Sequence, residues 1–420
     1  MTATAVRRPP TLPADPDLPP GGAAAVARFL AGRGLEPRGI EPAQAHYRPG
    51  RWLTVCFRTT AFDRASDRPV EVTVTVDCRA GETAAVWAFP HDPALPGLPA
   101  AADPDGRLVR RRLGRGPVDV AVEPLHYRPR RRAVVRYRVA GGGSFFGKVM
   151  APRRARRLLA LADRLDVRHS PADTDFGLRL ALPTGCLAPG ALLLPNLPGR
   201  PLRQLLLAAA PLPGPEAVAA LPDRLHRRCA AAVSAAPPGA APGSSADPPG
   251  RRRVDPAGAL AAAHLVARLL PGEACAAGRL AEAVVAWSEA DDPPDDRIVH
   301  GDLYENQVLV DGDTFGLIDL DDLGRGDPLL DAANFSAHLL LLATSGIPAA
   351  GVIHRYRDEL RAAFARRLDA DPAALAWREA YCLLRLASGP FRVLHPDWPR
   401  RVAGRLALAG EALPGRGRRP

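Results

Sequence analysis

Residues 295–339 read DDRIVHGDLYENQVLVDGDTFGLIDLDDLGRGDPLLDAANFSAHL and set acidic residues at loop positions around two short apolar runs, 307–310 and 315–318. Runs of this length, separated by the turn residues Asp311, Gly312 and Asp313, predict a two-stranded hairpin. Asp302 enters the first strand and Asp319 follows the second, so the hairpin brings both carboxylates to one end. Two carboxylates so placed suit phosphoryl transfer. One orients the attacking hydroxyl and takes its proton, and the other holds Mg²⁺ against phosphate oxygens.

Lys148 is the second chemical signal. Every other one of the 56 basic residues is an arginine. A single ammonium in that background points to a task that a planar guanidinium does poorly, such as a compact, flexible point charge against nucleotide phosphates. Strand 133–139, the Gly141-Gly142-Gly143 turn and a returning strand from Phe145 to Met150 give it a setting. Residues 142–148 also satisfy GxxxxGK, the opening of a phosphate-cradling loop. That loop needs Ser or Thr next, where Val149 stands, and a helix beginning at the lysine, whereas Pro152 sets the helix start later. The strand reading is therefore preferred.

His300-Gly301-Asp302, Ile318-Asp319 and Gly326-Asp327-Pro328 with Asp331, in that order, resemble the catalytic signature of the aminoglycoside phosphotransferase and choline kinase superfamily. The resemblance implies an α+β, bilobal protein-kinase-like fold. It also implies ATP- or GTP-dependent transfer of the γ-phosphoryl group to a hydroxyl of a small polar molecule, such as an aminoglycoside or a sugar. In these terms Asp302 is the catalytic base, Asp319 the principal Mg²⁺ ligand, and Asp327 and Asp331 supports of the loop; Lys148 takes the place of the ATP lysine. The family usually has Asn five residues after the catalytic aspartate. Here that position is Gln307, with Asn306 one earlier, and both are candidates for the second metal ligand. An acidic partner for the lysine is expected on helix 152–166, where Asp163 fits by spacing ahead of Asp166. Segment 192–202, an apolar strand ending in a Pro/Gly turn, resembles the hinge between lobes, with Leu194 and Asn196 offering backbone groups to the adenine. The resemblance runs from Val118 to the mid 330s and is strongest in 295–331.

The elements that must position these residues follow from periodicity and breakers. A helix is predicted over 22–33, then strands over 52–57, 70–76 and 84–89, making residues 40–100 mainly β. The motif His126-Tyr127-Arg128-Pro129-Arg130-Arg131 plus a strand repeats His46-Tyr47-Arg48-Pro49-Gly50-Arg51 plus a strand; it reads equally as a duplicated half-lobe or as a recurring turn. Helical spacing continues over 215–233, divided or kinked at Pro222, and over 257–270 and 275–289. After Pro328 helices are predicted over 328–344, 350–368, 372–388 and 398–411. The expected division is a β-rich extension at 1–117, an N-lobe at 118–196 and a mainly helical C-lobe at 197–420, with a mobile low-complexity loop at 234–253 and a Pro-rich lead at the N-terminus.

Composition narrows the class. The 420 residues are 47% hydrophobic and 24% charged, as in globular proteins. The net charge of +11 comes with the arginine, alanine and proline bias of a GC-rich genome. Without a stacking platform, the runs 110–112 and 130–132 read as solvated surface, so no nucleic-acid partner is expected. Six scattered cysteines without a CxxC pair argue against zinc and disulfides and suit a reducing, cytoplasmic setting. No apolar run of spanning length is present, so no membrane partner is expected. Asp321, Asp322 and Glu305 are carboxylates able to draw a cationic acceptor, or simply solvated. A catalytically inactive nucleotide-binding module is the alternative function, and a basic nucleic-acid binder is a third class.

Overall fold

The computed structural model describes residues 22–113, 119–165, 177–234, 252–293 and 296–415. The low-complexity loop and the Pro-rich lead lie largely or wholly outside them. The chain opens with helix α1 (Ala23–Ala31), which buries Val26 and Leu30 against a four-stranded antiparallel meander, β1 (Leu35–Arg48), β2 (Trp52–Asp63), β3 (Arg68–Arg79) and β4 (Ala85–Ala88). Two short helices, α2 (Leu98–Ala101) and α3 (Arg107–Leu113), lead into a second sheet. That sheet contains β5 (Val120–Arg128), β6 (Arg132–Val139), β7 (Gly143–Met150), β9 (Gly185–Ala188) and β10 (Ala191–Pro195), in the order β5-β6-β7-β10-β9. Val109, Val120, Val135, Tyr137 and Leu193 form a small core that fastens α3 to it.

The repeated motif is one structure used twice. In the first copy Arg48 pairs with Trp52, Tyr47 with Leu53 and His46 with Thr54; in the second, Arg128 pairs with Arg132, Tyr127 with Ala133 and His126 with Val134. Both turns need one left-handed residue, supplied by Gly50 at φ 64° and by Arg130 at φ 62°. These equivalent hairpins fit both readings, a duplicated half-lobe and a recurring turn.

Helix α4 (Pro152–Arg164) starts at a proline, whose missing N–H is no loss in the first turn. It buries Ala155, Leu158, Leu161 and Ala162, with Arg153 and Arg156 exposed and Arg154, Arg157 and Arg164 half-buried. Strand β10 then feeds β11 (Arg200–Pro201), which belongs to a third sheet ordered β11-β13-β14-β8, where β8 is Leu178–Leu180, β13 Val308–Asp311 and β14 Thr314–Leu317. The predicted hairpin is thus β13–β14, turning at Gly312 with φ 60°. Strand β12 (Arg297–Val299) pairs with β15 (Gly324–Gly326), a two-stranded ladder the sequence reading did not foresee.

The remainder is helical: α5 (Leu202–Leu207), α6 (Pro215–Ala219), α7 (Leu221–Ser234), α8 (Pro256–Leu269), α9 (Ala274–Ala290), α10 (Pro328–Ala343), α11 (Ala350–Arg367), α12 (Pro372–Ala387), α13 (Gly389–Arg392) and α14 (Trp398–Ala412). The predicted helix is divided, but at Ala220 between α6 and α7, with Pro222 in the first turn of α7. Helix α10 is buried nearly all round, from Pro328 to Ala343, as a helix at the centre of a bundle must be. Asp327 caps it, its side chain accepting from Leu329 N at 2.9 Å, and Asp371 does the same for α12 at Ala373 N. Among the described residues no helix is long and apolar enough to cross a membrane.

Candidate active site

The loop 300–302 is fixed by backbone bonds to a buried carboxylate. Asp331, from the first turn of α10, accepts from His300 N at 2.6 Å and from Gly301 N at 2.9 Å. His300 Nδ1 accepts from Asp302 N at 3.3 Å, which leaves Nε2 to donate to Ile318 O at 2.9 Å and ties this loop to the end of β14. Gly301 has φ +82°, and a Cβ there would lie 2.7 Å from Asp322 O, so the close passage of the two loops admits only glycine. Asn334 Nδ2, one turn along α10 from Asp331, donates to Leu303 O at 3.0 Å and reaches Asp302 Oδ1 at 3.4 Å.

Asp319 sits just past β14 in the left-handed region, at φ 61° and ψ 46°, a strained setting for a non-glycine residue that is common at functional sites. Lys148 Nζ lies 2.5 Å from its Oδ1 and 2.6 Å from Asp321 Oδ1, so the second sheet and the β13–β14 hairpin are joined by an ion pair. Arg132 Nη1 adds contacts to both Asp319 oxygens, at 3.1 and 3.0 Å. Burial raises the Asp319 carboxyl, but Lys148 and then Arg132 outweigh it and hold it well below the ordinary carboxylate range. Asp302 goes the other way. Burial pushes it up and Asp319 adds to that, against the pull of His300 and Arg385. The two carboxylates are therefore shifted in opposite directions by their surroundings.

The two amides differ as well. Gln307 Nε2 donates to Tyr304 OH at 3.0 Å and to Asp319 Oδ2 at 3.3 Å; Asn306 is half-buried and its side chain makes no hydrogen bond among the described residues. The structure thus brings Gln307, not Asn306, to Asp319. Among the described residues no group of three His, Cys, Asp or Glu side chains could hold a metal. A Mg²⁺ site does not need one, since one or two protein oxygens plus substrate phosphates suffice, and Asp319 with Gln307 supplies that set.

Three expectations change. The carboxylates on Lys148 are Asp319 and Asp321; Asp163 is exposed on α4 and is not among its partners. Helix α4 meets the same acidic run with arginines instead: Arg154 Nη2 donates to Asp322 Oδ1 at 2.8 Å and Arg157 Nη2 to Asp321 O at 2.7 Å. The run 130–132 is not merely solvated, since Arg132 reaches Asp319 and Arg130 donates through its backbone N to Asp92 Oδ2 at 2.7 Å. Asp321, Asp322 and Glu305 are likewise not free carboxylates. Asp322 is shared by Arg154 and Arg252, and the fully buried Glu305 pairs with Arg203 at 3.0 Å. Leu194 is buried on β10 opposite Phe146, and Asn196 is exposed in the crossing from β10 to β11.

The hairpin tip between β5 and β6 was missed as a functional element, although its repeat was visible. Tyr127 OH donates to Asp92 Oδ2 at 2.8 Å and accepts from Trp87 Nε1 at 2.9 Å, while Gln44 Nε2 donates to Tyr127 O at 2.7 Å. Arg130 Nη1 meets Asp77 at 3.2 Å. The first sheet and its following loop therefore grip this hairpin from behind. A groove of about 1320 Å³ lies elsewhere, between α9 and α14 along Leu280, Trp287, Ala407 and Leu413.

Solved structures similar to this chain include aminoglycoside phosphotransferase APH(3'')-Id from Streptomyces rimosus, 23% identical over 68% of this chain and 96% of its own, with a TM-score of 0.41. A choline/ethanolamine kinase family protein from Mesorhizobium loti is 17% identical over 67% and 86%, TM-score 0.42. A thermostable mutant of aminoglycoside phosphotransferase APH(4)-Ia in ternary complex with AMP-PNP and hygromycin B is 18% identical over 76% and 100%, TM-score 0.45. No curated protein matches the chain by sequence. A family model described as the phosphotransferase enzyme family matches residues 131–377, from the β5–β6 hairpin tip into α12 and across every site residue above. With more than half its length matched, this α+β chain belongs to the phosphotransferase enzyme family.

Proposed function

We propose that this protein is an O-phosphotransferase that moves the γ-phosphoryl group of ATP or GTP to a hydroxyl of a small polar molecule. The observation that carries the reading is the pair of carboxylates with opposite electrostatics, Asp302 and Asp319, on loops joined by the His300–Ile318 bond, with Lys148 on the second of them. Residues 1–117 form an extension, 118–196 the N-lobe and 197–420 the C-lobe in this reading, with the hinge at Leu194 and Asn196 presenting backbone groups to the base.

Lys148 and Arg132 now neutralise Asp319 and Asp321, and both are cations that nucleotide phosphates would draw away. Mg²⁺ would be held by Asp319 with the Oε1 of Gln307 and would neutralise charge on the phosphate oxygens. Asp302, its carboxyl pushed up by burial, accepts the hydroxyl proton, while Asn334 and the Asp331-braced backbone keep its carboxylate aimed. Catalysis rests on positioning and electrostatics, as phosphoryl transfer demands.

The test is Mg²⁺-dependent nucleotide binding and turnover across aminoglycosides, sugars and hydroxy acids, comparing wild type with Asp302→Ala and Asp319→Ala. Acceptor-stimulated turnover that disappears in Asp302→Ala while nucleotide still binds supports the assignment. Nucleotide binding with no transfer to any acceptor favours an inactive binding module, and no nucleotide binding refutes the reading.

A further inference from the structure

Four arginines from separate segments have no ion-pair partner among the described residues. Arg128 comes from the β5–β6 hairpin, Arg385 from α12, Arg392 from α13 and Arg405 from α14. Among the described residues the side chains of Arg128, Arg385 and Arg392 make no hydrogen bond or ion pair. Arg385 lies over the Tyr381 ring at 5.4 Å, and Arg405 donates only to Leu386 O, at 2.8 Å. Arg392 and Arg405 converge over Gly389, where a Cβ would stand 3.6 Å from one Nη2 and 2.5 Å from the other's Nη1.

Packing sets the segments side by side: α13 lies against α14 and β1, α12 lies against α14, and Gln44 of β1 donates to Tyr127 O beside Arg128, and the mutual effects of the charged groups agree. Burial, then Arg128, Arg131, Arg405 and Arg385, bring Arg392 down to about 10. His338, stacked at 4.0 Å on Tyr304 of the catalytic loop, is brought to about 3 by burial and then by Arg203, Arg405, Arg385 and Arg392, so it is neutral. His46 of the first sheet is held neutral in the same way, also at about 3, by burial and by Arg392, Arg128 and Arg131. Asp302 is the carboxylate that Arg128 and Arg385 both feel; the other nearby acid, Asp322, is bound by Arg154 and Arg252.

We infer that the acceptor carries an oxyanion, a carboxylate or a phosphate, as well as the hydroxyl that is phosphorylated. The inference rests on the phosphotransferase reading. Arg128, Arg392 and Arg405 are half-buried and Arg385 is open to solvent; like charges gathered without a counter-ion repel, and an anionic ligand removes that repulsion through the paired N–H donors of guanidinium groups. A polycationic acceptor would add to it. In the reaction the acceptor hydroxyl oxygen forms the new bond to phosphorus, the bond to the nucleotide diphosphate breaks, and the hydroxyl proton passes to Asp302. The anchored oxyanion sits on the C-lobe arginines and sets which hydroxyl faces the nucleotide.

The test titrates inorganic phosphate and citrate into the full chain with Mg²⁺ and ADP saturating, for wild type, an Arg385→Gln, Arg392→Gln double variant and the corresponding Lys pair. Wild type is expected to bind at least one of the two anions, the Gln pair to weaken that binding at least tenfold, and the Lys pair to restore part of it. Binding of phosphate alone assigns a phosphorylated acceptor, and of citrate alone a carboxylate. Thermal melts check that the Gln pair is folded. Anion binding that is absent or indifferent to these arginines overturns the inference, as does turnover of kanamycin in preference to hydroxy acids. ADP binding without arginine-dependent anion binding sinks only this inference; failure of ADP to bind sinks the phosphotransferase reading itself.

Discussion

Lys148 Nζ lies 2.5 Å from Asp319 Oδ1 although 171 residues separate them in the chain. The lysine is carried on β7 of the second sheet and the aspartate follows β14 of the third, so this bond joins the two sheets. Only about 7% of the lysine side chain is exposed, so the pair is protected from solvent screening. It is the contact on which nucleotide binding should hinge.

Replacing Lys148 by Ala is expected to lower nucleotide affinity at least tenfold, equivalent to about 1.4 kcal/mol or more. Lys148→Arg should not restore it, because a guanidinium fork does not fit a site built around one compact ammonium. Calorimetric titration with Mg²⁺ and ADP or GDP measures both. Affinity equal to wild type in Lys148→Ala would remove the lysine from the site.

The pH profile should report Asp302. Its folded pKa is raised above the ordinary 3.8, and the base must be ionised to act, so kcat/KM falls as pH drops through the raised value. Arg385 pulls that value down, hence Arg385→Gln should move the acid limb to higher pH. The stability sign is opposite to the catalytic one. A carboxyl with a raised folded pKa destabilises the fold above that pKa, and the effect fades as pH falls toward the unfolded value. Asp302→Asn is therefore expected to abolish turnover yet raise the melting temperature at neutral pH, with no gain at pH 3.

Asp92 tests the contribution of the extension. Its Oδ2 accepts from Tyr127 OH and from Arg130 N, so it holds the hairpin whose far side presents Arg132 to Asp319. In Asp92→Ala the nucleotide KM should rise several-fold while kcat changes less, since the reacting groups are untouched. An unchanged KM would reduce the extension to a structural appendage.

The motif blocks were legible because their geometry is local. The hairpin 308–317 follows from two apolar runs about a Gly turn, and α10 and α12 follow from Pro at the first turn with an Asp cap before it. Strand β1 was not legible, since Pro37, Gly39 and Pro42 interrupt it; the structure absorbs them as register shifts at an edge of the sheet. The partner of Lys148 was sought on the nearest helix and lay instead in the distant acidic run. The arginine basin draws Arg128, Arg385, Arg392 and Arg405 from four segments, and no linear pattern marks such a convergence.

Arg378 and Asp327 form a buried pair, each about 1% exposed, with Nε to Oδ2 at 2.5 Å. Asp291 joins on the outer side, and Asp327 also caps α10. Removing the guanidinium would leave a buried carboxylate without a partner, which typically costs about 3–5 kcal/mol. Arg378→Met should therefore lower the melting temperature markedly and leave nucleotide affinity per folded molecule intact. A loss confined to activity at full stability would contradict this structural role.

The most direct measurement follows the γ-phosphoryl group itself. Wild type and Asp302→Asn are incubated with Mg²⁺, γ-labelled ATP or GTP and hydroxylated acceptors, and the products are separated for label. The account predicts label on an acceptor hydroxyl in wild type and none above background in Asp302→Asn, with nucleotide bound by both. Label transferred equally by the two proteins would contradict the assignment of Asp302 as the base and, with it, the reading of this site.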